Sequence, residues 1–459
     1  MARGVKKEVA LTPEEKLAQA LVPEAEQPYR VPENWRWVYG TAFLRPMETK
    51  KPVGEVFKYI DIDSIDNKRQ IVTEPKILSV SEAPSRASRA LHTGDTIFSM
   101  VRPYLKNIAY IDGTLSDAIA STGFYVCTPQ RFINSRYLYY MMVSPYVIDG
   151  LNCFMKGDNS PAIRKEELEN FQYPVPPISE QLRIVDRIES LFAKMDEAKE
   201  KAQAVVDGFE DRKAAILHKA FTGELTAEWR IGKQITLDSW HAKRLSETSI
   251  TIIDGDRGKN YPKKEEFSPD GYCIFLNAKN VTKRGFVFDE VECITKEKDE
   301  LLHNGRLKRG DMVMTTRGTI GNVAIYDDSV PYEHLRINSG MVIYRGGIEF
   351  IKQYLIWLYQ SKLITTQIDN LRTGTAQPQL PIKVMNALVL PIPTIEEQKE
   401  IVETLNKLIT KEQQAKAVAE QVIDQIDTMK KAILARAFRG ELGTNDPSEE
   451  SAEGILSVK

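Results

Sequence analysis

Two stretches of the chain place apolar residues in alternating steps of three and four. The first runs through Ile188, Leu191, Met195, Ala198, Ala202, Val205, Phe209 and Ile216. The second runs through Leu405, Leu408, Ala415, Ala419, Val422, Ile426, Met429 and Ile433. That spacing predicts two helices with a heptad seam, each needing a partner along its apolar stripe. About 40 helical residues rise roughly 60 Å, and the other stretch is the obvious partner. Two independent amphipathic helices, each lying on its own module, are the plainer alternative, but such helices seldom need heptads sustained this long. An intramolecular pair is expected to be antiparallel, because the intervening module carries the chain back. A dimer built through the same seams stays open. Glu412 is the one polar residue in the stripe and a candidate register mark. A Pro-x-Pro before each helix sets an extended lead-in. Ser179 and Glu396 follow, where an acceptor side chain would cap free backbone N–H groups.

Elsewhere the pattern changes. Residues 35–172 and 236–389 mix short β-branched and aromatic runs with turn signals such as Asp112-Gly113 and Asp270-Gly271. Each also holds a helix-like stretch, SRYLYYMMVS (135–144) or IKQYLIWLYQ (351–360). The fold class is therefore α+β: two globular modules separated by two long helices that form an antiparallel coiled coil, with an internal pseudo-twofold repeat. Residues 1–34 form an extension with a short helix, with Thr12 as N-cap, Pro13 at its first position and Glu15 completing a capping box. The helical regions span 173–235 and 390–442, and the polar, acidic tail 443–459 is expected to be disordered.

The duplication is explicit in the residues. PVPPISEQLRIV…KAAILHKAFTGEL (174–225) and PIPTIEEQKEIV…KKAILARAFRGEL (391–442) share 23 identities in 52 ungapped positions at an offset of 217. Average composition gives roughly one in sixteen by chance. The modules are related more weakly. Gly94-Asp95 and Gly310-Asp311 each open a β-rich run, Lys156-Gly157 with Pro161 matches Thr373-Gly374 with Pro378, and Trp35 and Trp240 stand near the module starts.

Composition narrows the function. With 62 Lys+Arg against 64 Asp+Glu, the 459-residue chain has a formal net charge of −2, which excludes polybasic DNA binding by bulk charge but not local basic surfaces. Four cysteines form no CxxC pair or zinc spacing and read as reduced core residues of a cytoplasmic protein. No apolar run reaches the roughly 18 residues of a membrane span, and MARGVKKEVALTPEEK does not read as a secretory signal. No GxGxxG, Walker loop, [DNS]-PP-[YF], HExxH or GxSxG occurs. Pro269-Asp270 resembles a nuclease motif only superficially, since Gly271 follows and makes it a turn. No catalytic residue or metal site is expected, and by elimination the chain binds and holds.

The doubled P-[VI]-P-x-I-x-E-Q lead-in, the doubled [AK]AxLxxAFxGEL close and VPENWRWV (31–38) before the first module resemble the specificity subunit of type I restriction-modification systems. LDSWHAKRL (237–245) matches more weakly and lacks the Pro-x-x-Trp form. The resemblance covers about 30 to 442. It implies that each module is a target recognition domain for one half of a bipartite, asymmetric duplex DNA site. The helices would fix the gap and dock two modification subunits. Those partners would bind S-adenosylmethionine and methylate adenine N6. Restriction subunits would use ATP and Mg. No cofactor would be bound by this chain.

Direct readout needs Arg, Lys, Asn, Gln, Ser or Thr on loops. The candidates in the first module are Arg102, Lys106 and Asn107 in VRPYLKN, with Lys156, Asn159, Ser160 and Arg164 in KGDNSPAIRK. In the second they are Arg317, Thr319 and Asn322 in TTRGTIGN, with Arg372, Thr375, Gln377 and Gln379 in RTGTAQPQLPIK. Gly318 and Gly321 would permit close approach to phosphates. Coiled-coil and partner-docking candidates are Ile188, Leu191, Met195, Val205, Phe221, Leu225, Leu405, Leu408, Val422, Ile426, Phe438 and Leu442. Packing, with Gly223 and Gly440 as helix stops, competes with docking for the closing motif. Two other classes stay open: a coiled-coil scaffold whose modules bind proteins, and a nuclease acting alone. Sequence-specific retardation of duplex DNA, or metal-dependent cleavage by the purified chain, would separate them.

Overall fold

The computed structural model describes residues 13–374 and 378–453. The chain divides into two compact units, Met1–Ala202 with Gln421–Lys459, and Gln203–Glu420. Both are α+β.

In the first unit the strand Arg36–Tyr39 pairs antiparallel with Gln172–Val175, Trp37 opposite Pro174. This pair joins the two ends of the module, and a two-stranded ribbon tolerates the proline that a central strand would not. Between them, Thr96–Ser99 lies at the centre of a three-stranded antiparallel sheet with Phe124–Cys127 and Ile108–Tyr110. A four-stranded sheet places Val56–Ile60 parallel to Ile119–Ser121, with Lys76–Ser79 and Ala87–Ala90 outside. The helices Ser135–Met142 and Pro145–Asn152 are capped by Asn134 and Ser144, whose side chains accept backbone N–H groups. The core gathers Trp35, Tyr137, Leu138 and Tyr173 from the module, Ile184 and Ile188 from the helix Ile178–Asp207, Leu434 and Ala437 from the helix Ile395–Ala437, and Phe438 from the turn that follows it.

The second unit repeats the scheme. His241–Arg244 pairs with Val389–Ile392, Ala242 opposite Pro391. Met312–Thr315 lies inside a four-stranded antiparallel sheet, and Cys273–Leu276 runs parallel to Leu335–Ile337. Both central strands are fully buried, as their continuous apolar runs require. The helices Lys352–Gln360 and Lys362–Leu371 pack with Leu217, Phe221, Ile401 and Leu405.

The helical stripe differs from the predicted seam in detail. Ile188, Ala202, Phe209, Leu405, Ala419 and Ile426 are buried, while Leu191, Met195, Val205, Leu408 and Val422 are half-buried. Ala198 and Ala415 are exposed, Met429 is 50% exposed, and the predicted list missed the buried Ile401, Ile409 and Leu434. Strict heptads drift around a 3.6-residue helix, so the buried face wanders from the a/d positions. Gly208 divides the first repeat into Ile178–Asp207 and Phe209–Phe221, although its N–H still reaches the Ala204 carbonyl.

Two local expectations are corrected. Ser179 and Glu396 are not caps: the helices begin at Ile178 and Ile395, and Thr394 Oγ1 accepts the Glu397 N–H. The tail is ordered over 443–453: Arg183 donates to both Glu449 oxygens at 2.8 Å and to the Thr444 carbonyl, and Asn34 donates to the Asp446 carbonyl. Composition alone could not show that the module offers partners for an acidic strand. The helix Pro13–Ala20 is present, and its expected cap Thr12 lies outside the described residues.

Candidate nucleic-acid interface

In the first unit, Val101 and Lys156 both bridge Ala162, which ties the loop after the strand Thr96–Ser99 to the loop 156–164. The Arg102 N–H donates to the Pro161 carbonyl at 2.7 Å, and its guanidinium donates to the Asn159 carbonyl at 2.6 Å. Arg102 and Lys106 have left-handed backbones with φ of 48° and 59°. They bracket a single 3-10 turn, Pro103–Leu105. Lys156, Asn159, Ser160 and Arg164 are exposed on the same paired loops. Asn107, expected to read bases, is only 5% exposed and its carbonyl accepts the Ser99 N–H, so it serves the sheet instead of a base edge.

The second unit joins its loops the same way. Arg317 and Thr373 both bridge Gln379, and the Leu380 N–H donates to the Thr316 carbonyl. Arg317, Thr319, Arg372 and Gln379 are exposed, although Arg372 also pairs with Asp369 at 3.3 Å. Asn322 is a correction: its amide donates to the Val281 carbonyl at 3.0 Å, holding a neighbouring hairpin. Thr375 and Gln377 lie outside the described residues. Each unit thus brings two polar, donor-rich loops to one place, which is the chemistry base edges and phosphates require.

The lead-in motif explains how the helices are fixed to the modules, a role the sequence reading did not assign. Glu180 is fully buried and accepts the Trp35 indole N–H at 2.7 Å; Glu397 does the same for Trp240 at 2.8 Å. The neighbouring glutamines act as clamps. Gln181 donates to the Pro176 and Phe132 carbonyls and accepts the Asn134 N–H. Gln398 donates to the Pro393 and Glu349 carbonyls and accepts the Ile351 N–H. The signal was present as a Glu-Gln dipeptide repeated after both prolines, beside a tryptophan in each half. Glu397 also receives Thr226 at 2.7 Å and the Arg230 guanidinium, whereas Glu180 receives Asn445 and Thr444 from the tail.

The closing motif is spent inside the chain. Phe438 is fully buried with its ring 5.4 Å from Tyr137, and Phe221 is buried 5.4 Å from Tyr354. Leu225 and Leu442 pack against the same cores. Neither phenylalanine is therefore available to dock a partner, and burying each contributes about 2–3 kcal/mol to its unit. Gly223 and Gly440 take the left-handed stop conformation, and a Cβ on Gly440 would meet Pro32 at 2.5 Å.

Among the described residues no group of three His, Cys, Asp or Glu side chains could hold a metal ion, and no helix is long and apolar enough to cross a membrane. The paired-loop modules on repeated helices define a class: residues 46–206 and 239–422 each match the model of the type I restriction modification DNA specificity domain, and the chain belongs to that family. It is similar to the EcoBI type I restriction enzyme specificity subunit of Escherichia coli, 24% identical over 321 residues, 67% of this chain and 66% of that one. The MjaVIII specificity subunit of Methanocaldococcus jannaschii is 24% identical over 447 residues, covering 90% of this chain and 94% of that subunit. Among solved structures, the HsdS subunit from Thermoanaerobacter tengcongensis aligns with a TM-score of 0.67 at 25% identity, over 91% of this chain and 100% of that one.

Proposed function

We propose that this chain is the non-catalytic specificity subunit of a type I restriction-modification enzyme, whose modules 35–172 and 236–389 each read one half of a bipartite, asymmetric duplex. One observation carries the reading: the same two loops are bridged in the same way in both units, Val101–Ala162–Lys156 and Arg317–Gln379–Thr373, while the side chains they display differ. A duplicated frame with diverged tips suits two different half-sites. Of the predicted readers, Arg102, Lys106, Lys156, Asn159, Ser160, Arg164, Arg317, Thr319, Arg372 and Gln379 keep that role.

The repeated helices act as an antiparallel coiled coil with pseudo-twofold symmetry. Ion pairs support this: Asp196–Lys430 and Lys199–Asp427 in one unit advance along one helix while retreating along the other. Two weak readers on one frame gain affinity through effective concentration when their spacing fits. With Phe221 and Phe438 buried, two modification subunits would dock on the exposed helix surfaces and outer faces of the repeats. Those subunits supply S-adenosylmethionine chemistry at adenine N6, and restriction subunits supply ATP- and Mg-dependent cleavage.

The test is single-molecule sequencing of DNA from cells expressing this chain with its methyltransferase partner, beside cells lacking the chain. A new N6-methyladenine mark in a split, asymmetric motif is expected. Identical methylation in both samples, with both proteins present, would leave a protein-binding scaffold as the better reading.

A further inference from the structure

The reading loops of the two units share a backbone plan but not a tip. The Ser99 N–H reaches the Asn107 carbonyl across one loop and the Thr315 N–H reaches the Asn322 carbonyl across the other, so 102–106 and 318–321 occupy equivalent places. Both loops start and end with positive φ. In the second unit glycines serve, Gly318 at 72° and Gly321 at 90°; in the first, Arg102 and Lys106 hold those conformations. Such backbone is disfavoured for long L side chains and persists where the surroundings enforce it.

The extra residue of the first loop changes what is displayed. Pro103 is buried, but Tyr104 is 44% and Leu105 39% exposed, side by side at the tip. In the second loop Ile320 packs back onto its own core and Thr319 takes the outer place, its carbonyl held by Thr315 Oγ1. The tip of the first loop is stiff: Leu105 N–H donates to the Arg102 carbonyl and Lys106 N–H to the Pro103 carbonyl, both at 2.9 Å, while Arg102 is tied to Pro161 and Asn159. Segments 102–106 and 156–164 carry Arg102, Lys106, Lys156 and Arg164 against the single acid Asp158.

We infer that Tyr104 and Leu105 are an apolar wedge that presses on base faces of the half-site met by the first module and loosens one base step there, a contact the second module does not make. This rests on the DNA reading proposed above. The surrounding cations complement phosphates, but an exposed aromatic–aliphatic pair gains nothing from phosphates; it gains from the flat faces of partly unstacked bases. A tip already rigid in the free protein loses little freedom on insertion.

The experiment uses the full chain assembled with its methyltransferase subunits and duplexes carrying the motif mapped by methylation sequencing. 2-Aminopurine is placed at successive positions through both half-sites. The complex is expected to raise fluorescence at the methylated adenines and at one further step in one half-site. Combining Tyr104→Ser with Leu105→Ser should abolish that further signal and weaken specific binding roughly tenfold, leaving the signals at the methylated adenines. Tyr104→Phe alone should retain it. An unchanged fluorescence profile and affinity in the double-serine variant would overturn the wedge while leaving DNA reading intact. Failure of the unmutated complex to bind any duplex specifically would instead remove the DNA reading, and the wedge with it.

Discussion

Arg212 donates to Glu412 at 2.7 Å, pairing the one charged residue in the apolar stripe of the second repeat with a cation from the first. At an offset of 217 their counterparts are Met429 and Met195, so the duplicated frame uses two methionines where this unit uses an ion pair. The pair is partly exposed, with side-chain accessibilities of 38% and 26%. Glu412→Ala should cost about 1 kcal/mol by leaving Arg212 without its carboxylate. Replacing both by Met should cost less than the single change, under about 0.5 kcal/mol. Urea unfolding of the three proteins would show it; equal losses in the single and double variants would contradict a coupled pair.

Glu397 and Glu180 hold equivalent tryptophans but different company. Glu397→Gln leaves the Arg230 guanidinium, 8% exposed, without its charge partner and should cost about 3 kcal/mol. Glu180 accepts from Trp35, Thr444 and Asn445, all neutral, so Glu180→Gln should cost about 1 kcal/mol. Thermal unfolding would reveal the order, and a larger loss at Glu180 would refute it.

The tail is held by Arg183, whose hydrogen bond to Glu449 keeps that carboxyl below its ordinary value. A lowered carboxylate contributes stability that is complete above its unfolded value and is lost as pH falls through its folded one. Tail protection from hydrogen exchange should therefore persist at neutral pH and fade below about pH 4. Arg183→Ala should remove it at neutral pH too. Protection that ignores both changes would show that Asn34 and the backbone suffice.

Arg317→Ala should weaken specific binding by about 1–3 kcal/mol and relax one position of the half-site read by the second module. Methylation sequencing reads this directly; an unaltered motif would remove Arg317 from the readers.

One helical turn added to both helices, near Ala202 and Ala419, moves a module by about 5.4 Å, more than a base-pair step of about 3.4 Å. The methylated motif should then carry a longer gap with both half-sites unchanged. The same gap in the insertion variant would dispose of the ruler.

The sequence by itself determined the duplication, the α+β modules, the long helices with their glycine stops, and the family. These rest on local signals: apolar periodicity, proline lead-ins and a repeat at fixed offset, each carried by residues close together in the chain. It also singled out both pairs of bridged loops, because polar residues cluster there between strands. Only the tertiary structure decided that Val101 and Lys156 meet at Ala162 and Arg317 and Thr373 at Gln379, contacts between segments some sixty residues apart. It alone showed that Asn107 and Asn322 serve the fold, that Phe221 and Phe438 are buried anchors, and that Arg183 fastens the tail. Burial and hydrogen-bond partnership depend on what the rest of the chain brings to a residue, and side-chain type alone does not encode it.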